Sequence, residues 1–241
     1  MFVNYAHRGA SDYAPENTMS AFCLGIEMGA NGIETDIQLT RDGVAVLFHD
    51  DSLARVTGVD RLLSDMSLAE LDSIDFGVHI CGEKYRGERI VTLSDFMRYF
   101  ASRPLQLALE LKGPMVEQIT IDEVNQAGCR ERTILTSFEL DYLKQARKID
   151  PDIALGYLTD DINDEVLNTL DSLKIRQICP RSDFVTREKT DYAKSRGFSV
   201  RAWGLANEQL MENCLAAGVD GMTVNFPDKL AERLKELKKG G

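Results

Sequence analysis

The sequence predicts a (β/α)8 TIM barrel, and three observations carry that expectation. Strand-like apolar runs alternate with amphipathic helical stretches along the whole chain. Several of the helical stretches stop at a glycine suited to a left-handed C-terminal cap, namely Gly29, Gly128, Gly197 and Gly218. The 241 residues match the roughly 250 that eight strand–helix units occupy, which favours a closed barrel over an open sheet.

In chain order, strand-like runs fall at Phe2–Ala6, Gly32–Ile37, Val44–Phe48, Leu105–Leu111, Thr133–Thr136, Ile153–Leu158, Arg176–Cys179, Phe198–Ala202 and Gly221–Val224. Helical patterns fall at Met19–Met28, Val116–Ala127, Leu140–Ile149, Glu165–Leu173, Glu188–Ser195, Glu208–Ala217 and Leu230–Leu237. Strands and helices that alternate at this spacing imply parallel strands joined by crossover helices. One segment, residues 51–91, breaks the rhythm with a helical pattern around Leu68–Ile74 and a glycine-rich polar stretch from Gly77 to Gly87. The expectation is a single domain over residues 1–241, with 51–91 as an insertion at the rim of the barrel.

Composition narrows the function. With 44% hydrophobic and 28% charged residues the chain reads as an ordinary globular protein that builds its own core. No segment approaches the roughly 20 apolar residues of a membrane span. Residues 1–9 lack a basic stretch followed by an apolar one, so nothing suggests export. Five cysteines without a close pair fit reduced thiols, and the expected location is cytoplasmic. A net charge of −11 argues against nucleic acid as partner. It admits an anionic small molecule only where positive charge is concentrated locally, as a bound cation would do.

Strand periodicity brings candidate chemistry together. Glu34 and Asp36 are two apart and share one face of their strand. Leucines 105, 107, 109 and 111 share one face of a later strand, while Gln106, Ala108, Glu110 and Lys112 share the other. Three carboxylates and a lysine thus reach the strand ends where such barrels keep their active sites. A cluster of hard oxygen donors without cysteine favours Mg²⁺ or Ca²⁺ over zinc, whereas the plain alternative is an ion pair such as Glu110 with Lys112. His7 and His49 each end a strand-like run and suit general acid–base work near neutral pH. Arg8 presents a planar fork for phosphate. His79, in the insertion, has no such context. Pro15-Glu16-Asn17-Thr18 reads as a helix cap needing no functional supplement. Trp203 ends the seventh strand, as core or as the wall of a pocket.

Taken together these segments resemble the glycerophosphodiester phosphodiesterase family, in its compact bacterial cytoplasmic type. The matching text is Ala6-His7-Arg8-Gly9, Pro15-Glu16-Asn17-Thr18, Gly32-Ile33-Glu34-Thr35-Asp36-Ile37, Thr40-Arg41-Asp42-Gly43 and Val46-Leu47-Phe48-His49-Asp50-Asp51. It continues with Leu109-Glu110-Leu111-Lys112, Ser137-Phe138, Trp203 and Pro227-Asp228. The resemblance implies a TIM barrel with a small insertion after the second βα region. It implies His7 and His49 as the acid/base pair and Glu34, Asp36 and Glu110 as ligands of one divalent cation, Mg²⁺ or Ca²⁺. Arg8 and Lys112 would bind phosphate, with Ser137 and Trp203 nearer the rest of the substrate. The implied reaction is hydrolysis of a small-molecule glycerophosphodiester to glycerol 3-phosphate and an alcohol. Oligomeric state is left open, a homo-oligomer included. Two departures stand out: Asn225 occupies a position where the family commonly has Asp, and the proline usual before the second helix is absent from Arg89-Ile90-Val91-Thr92-Leu93.

Two alternatives compete. A lysophospholipase D or phospholipase-like enzyme of the same superfamily would want an apolar or basic rim. The insertion instead mixes Phe76, Val78, Ile80 and Tyr85 with Glu83 and Glu88, which favours a water-soluble diester. A barrel that binds phosphorylated ligands without catalysis is the other, since fold does not fix function.

Overall fold

The structure is a computed structural model and describes residues 2–240. The chain opens with β1 (Val3–His7), α1 (Met19–Glu27), β2 (Gly32–Leu39) and β3 (Ala45–Leu47). Short helices α2 (Ala54–Thr57), α3 (Leu68–Leu71) and α4 (Val78–Cys81) lead to β4 (Val91–Thr92) and α5 (Leu93–Phe100). Strand and helix then alternate as β5 (Gln106–Leu111), α6 (Val116–Gln126), β6 (Thr133–Ser137), α7 (Leu140–Ile149), β7 (Ala154–Thr159) and α8 (Asp164–Ser172). The series ends with β8 (Gln177–Pro180), α9 (Arg187–Ser195), β9 (Ser199–Ala202), α10 (Glu208–Ala217), β10 (Gly221–Val224) and α11 (Pro227–Gly240).

Strands β1, β2 and β5 to β10 pair in parallel, and the β1–β2 pairing closes them into a barrel. The fold is the expected TIM barrel. Leu107, Leu109 and Leu111 face outward and share a buried cluster with Val116, Ile121 and Val124 of α6. The opposite face of each strand lines the barrel, and here that lining is polar. Arg201 is only 1% exposed, donates to Thr223 Oγ1 at 3.3 Å and lies over the Tyr5 ring at 5.1 Å.

Two sequence-based expectations need correction. The run Val44–Phe48 is not a barrel strand. β2 outlasts its barrel neighbour, and its end at Ile37–Leu39 pairs antiparallel with β3, which pairs in turn with β4. The helix over Leu93–Phe100 is absent from the expected helical patterns because it is short and its apolar residues are crowded. Its signals are Thr92, whose hydroxyl caps the amide of Asp95, and the buried face of Leu93, Phe96, Met97 and Phe100. Phe96 and Phe100 meet Phe22 of α1 at ring separations of 5.0 and 5.9 Å. The missing proline therefore leaves the helix start to Thr92.

Val46 of β3 and residues between β3 and β4 form a second apolar cluster, with Phe48, Leu53, Val56, Leu63, Leu71 and Phe76 buried together. Phe48 packs edge-on against Phe76 at 6.0 Å, which anchors the residue next to His49. The phenol of Tyr85 donates to the Tyr13 carbonyl at 2.7 Å and ties this segment to the first βα loop.

That first loop packs its backbone closely against α1. Arg8 and Gly9 both adopt left-handed conformations, with φ of 54° and 87°. A Cβ on Gly9 would lie 2.4 Å from the Ala21 carbonyl carbon. Gly9→Ala is therefore expected to cost roughly 2–4 kcal/mol through strain and overpacking. Urea unfolding measures it, and a variant within about 0.5 kcal/mol of the parent, the order expected of a neutral surface change, would contradict the geometry.

Candidate active site

Glu34 and Asp36 on β2 and Glu110 on β5 converge at the carboxyl ends of their strands, with Asp36 and Glu110 in register. Their exposures are 4%, 1% and 7%, and one oxygen from each lies within 4.8 Å of the others. Glu34 Oε2 and Asp36 Oδ1 are buried without a hydrogen-bond partner. Burial, then repulsion from Asp36, pushes the Glu34 carboxyl up to about 7 and the Glu110 carboxyl up to about 8. Protein groups alone do not neutralise three buried carboxylates. Orphaned hard oxygens this close together have the chemistry and spacing that could hold a divalent cation. Lys112 pairs with Glu110 at 3.4 Å and Arg8 Nε lies 3.2 Å from Asp36, so two cationic side chains face three acids and Glu34 has only the His7 ring, at 3.9 Å, among the described residues.

Arg8 stands over the cluster because its left-handed backbone turns the side chain back across β2. Its Nε lies 3.2 Å from Asp36 Oδ2 and its Nη1 donates to Glu16 at 2.9 Å. Asn17, also left-handed at φ 58°, donates to Asp36 Oδ2 at 3.0 Å and accepts from the Thr35 hydroxyl at 2.7 Å. Reading Pro15-Glu16-Asn17-Thr18 as a plain cap is therefore too narrow. Thr18 alone caps α1, by accepting from the Ala21 amide, while Glu16 and Asn17 serve the site.

Both candidate imidazoles reach the same mouth. His7 Nδ1 contacts Asn225 Oδ1 at 2.6 Å, and its Nε2 lies 3.9 Å from Glu34. Burial and the Arg8 charge lower the His7 pKa to about 4. His49 is held over the end of β2, where the Phe48 amide bonds the Asp36 carbonyl at 3.1 Å. The Gln38 amide clasps the carbonyls of Phe48 and Asp50. His49 Nδ1 contacts Asp50 Oδ1 at 2.6 Å, and burial lowers its pKa as well. With an acceptor at each Nδ1, each ring carries its hydrogen there and leaves Nε2 for a reacting group.

Lys112 lies beside a cavity of about 450 Å³ lined by Glu110, Lys112, Ser137, Phe138, Glu139 and Tyr142. The Ser137 hydroxyl is committed to the backbone, donating to Leu111 O at 2.8 Å and accepting from the Glu139 amide at 3.1 Å. It shapes this wall instead of facing outward. The Trp203 indole donates to Thr159 O at 3.0 Å, and the ring meets exposed Phe138 edge-on at 5.0 Å. His79 is exposed on α4 beside Gly58, within the insertion. Sequence reasoning does not single out Glu16, Asn17, Arg55 or Arg201 as site residues. Only their positive-φ or long-range contacts reveal them, and neither has a sequence period.

An eight-stranded parallel barrel that gathers two imidazoles, a buried acid cluster, Arg8 and Lys112 at its carboxyl mouth has the groups that a phosphodiester hydrolase needs. Residues 7–229 match the profile of the glycerophosphoryl diester phosphodiesterase family. The chain belongs to this family and is an enzyme, a glycerophosphodiester phosphodiesterase by class. It is 31% identical to a glycerophosphodiester phosphodiesterase of Caldanaerobacter subterraneus subsp. tengcongensis, with 98% of each chain covered. It is 29% identical to one from Bacillus altitudinis over 97% of this chain and 98% of that one. Among solved structures it resembles an Oleispira antarctica phosphodiesterase in complex with the product sn-glycerol-3-phosphate. That match has a TM-score of 0.87 and 29% identity, covering 97% of this chain and 96% of the other. The glycerophosphodiester phosphodiesterase of Agrobacterium tumefaciens, at 22% identity and a TM-score of 0.87, with 96% of this chain and 100% of that one covered, supports the fold alone.

Proposed function

We propose that this enzyme hydrolyses small glycerophosphodiesters to glycerol 3-phosphate and a headgroup alcohol, with His7 and His49 as acid–base pair and one Mg²⁺ or Ca²⁺ held by Glu34, Asp36 and Glu110. The observation that carries the reading is the pair of orphaned, buried oxygens on Glu34 and Asp36 between two anchored imidazoles. When bound, the cation polarises the phosphoryl oxygens and offsets the charge that develops on them. Arg8 and Lys112 bind the same oxygens and hold phosphorus in line with the two rings.

An oxygen nucleophile, either water or the neighbouring glycerol hydroxyl, adds to phosphorus while the bond to the headgroup oxygen breaks. Nε2 of one ring accepts the nucleophile's proton, and the other ring, which enters as the imidazolium with hydrogens on both nitrogens, gives its Nε2 proton to the departing alkoxide. A cyclic phosphate formed by the glycerol hydroxyl is then opened by water with the roles reversed. Trp203, with Phe138 and the wall that Ser137 fixes, contacts the glycerol end. The proposal covers the chain as one unit, 1–241, with 51–91 inserted at the rim, and a cytoplasmic location.

The product complex of the Oleispira relative supports a small-molecule substrate. Among the described residues no helix is long and apolar enough to cross a membrane. Stripping metal with EDTA and assaying glycerol 3-phosphate release from glycerophosphocholine tests the reading. Activity is expected to fall at least about 10²-fold and to return with Mg²⁺ or Ca²⁺. Undiminished turnover in metal-free buffer would remove the cation from the reaction.

A further inference from the structure

We propose that Arg55, carried by the insertion, is a positioning residue that holds His49 and Arg8 in one geometry through two shared carboxylates. The inference rests on the roles given above to those two groups. Arg55 Nε donates to Asp50 Oδ2 at 2.6 Å, and its Nη1 and Nη2 donate to Glu16 Oε2 and Oε1 at 2.7 and 2.8 Å. Each acid also holds a site group. Asp50 Oδ1 contacts His49 Nδ1 at 2.6 Å, and Glu16 Oε1 accepts from Arg8 Nη1 at 2.9 Å. One planar fork therefore joins a ring that follows β3 to a guanidinium that follows β1.

Surface ion pairs contribute little singly, and half of the Arg55 side chain is exposed, at 48%. This arrangement differs in being bidentate on one acid and continuous with groups at the barrel mouth. Without Arg55, Glu16 has Arg8 as its sole remaining basic partner among the described residues, and competes with phosphate for that fork. Asp50 keeps His49 but loses the contact that fixes its own rotamer. Among the described residues Arg55 pairs with neither Glu34, Asp36 nor Glu110, so the cation donors stay as they are. The insertion thus acts on catalysis by orientation, where displacements near 1 Å cost about 10²-fold.

The test uses the full chain with Arg55→Ala, Arg55→Lys, Glu16→Gln, Asp50→Asn and His49→Ala, assayed on glycerophosphocholine. Arg55→Ala is expected to lower kcat/KM about 10²-fold, with Mg²⁺ affinity by calorimetry unchanged. Added guanidinium, which can enter the half-exposed site, restores part of that loss. Arg55→Lys keeps the charge without the fork and falls between. In the Glu16→Gln/Asp50→Asn background Arg55→Ala costs little more, because the residue acts only through those acids. An Arg55→Ala enzyme within about twofold of the parent, or losses that add fully across the cycle, overturns the proposal. Should Arg55→Ala fail to fold, Arg55→Lys takes its place in the cycle and is judged by the same two outcomes. His49→Ala separates the two levels: if it stays fully active the acid–base reading falls, and if it is inactive while Arg55→Ala is not, only the clamp falls.

Discussion

Replacing His7 with alanine is expected to lower kcat for glycerophosphocholine roughly 10²- to 10⁴-fold, the range for removing a general acid or base. The site offers no substitute: the other candidate ring, His49, has the complementary proton transfer in the proposed mechanism, and His79 lies in the insertion. KM should move far less, because in the proposed mechanism phosphate binding rests on Arg8 and Lys112. Thermal unfolding and Mg²⁺ affinity should stay close to those of the parent, since His7 is a third exposed, at 31%, and donates no cation ligand in this reading. Steady-state kinetics with both controls checks this. A His7→Ala enzyme that keeps its kcat removes His7 from the proton path.

Glu110→Gln is the second large effect. The amide keeps shape and volume but removes one of three charges that face a single point. Substitutions among the outer partners of metal ligands already cost about 10- to 100-fold, so a direct ligand should cost at least about 10²-fold in cation affinity. Activity should fall with it and be recovered in part at high Mg²⁺. The metal-free variant should be at least as stable as the metal-free parent. Burial and Asp36 repulsion push the Glu110 carboxyl up to about 8, so folding without metal near neutral pH costs a proton uptake that the amide avoids. Calorimetric titration and thermal unfolding with and without Mg²⁺ check both halves. Unchanged affinity would place the cation elsewhere.

Much of the fold is legible in the sequence because burial imposes a period on strands and helices. Leu107, Leu109 and Leu111 on one face of β5 announce a strand packed under helices, and their partners Ala108 and Glu110 announce the lining. The antiparallel pair β3 and β4 is not legible. Ala45–Leu47 is apolar like a barrel strand, and only the overrun of β2 past β5 turns it antiparallel. Helix α5 is masked because eight residues give about two turns of pattern.

Within the site, Asn225 departs from the family's usual Asp, which puts a supporting role there in doubt on sequence grounds. The structure gives the amide a definite contact, its Oδ1 at 2.6 Å from His7 Nδ1, so a neutral oxygen orients the ring without the charge a carboxylate would add. Glu16 and Asn17 look like capping text because the residues that cap helices are the residues that hydrogen-bond at a site.

By itself the sequence determined the barrel and the strand faces that carry Glu34, Asp36, Glu110 and Lys112, because side-chain period along a strand is fixed by backbone geometry. Only the tertiary structure decided that the three acids share one point, that Asn17 and Arg8 turn onto Asp36, and that Arg55 reaches both Glu16 and Asp50. Those contacts join residues far apart in the chain and depend on left-handed loops and barrel closure, which no local pattern encodes.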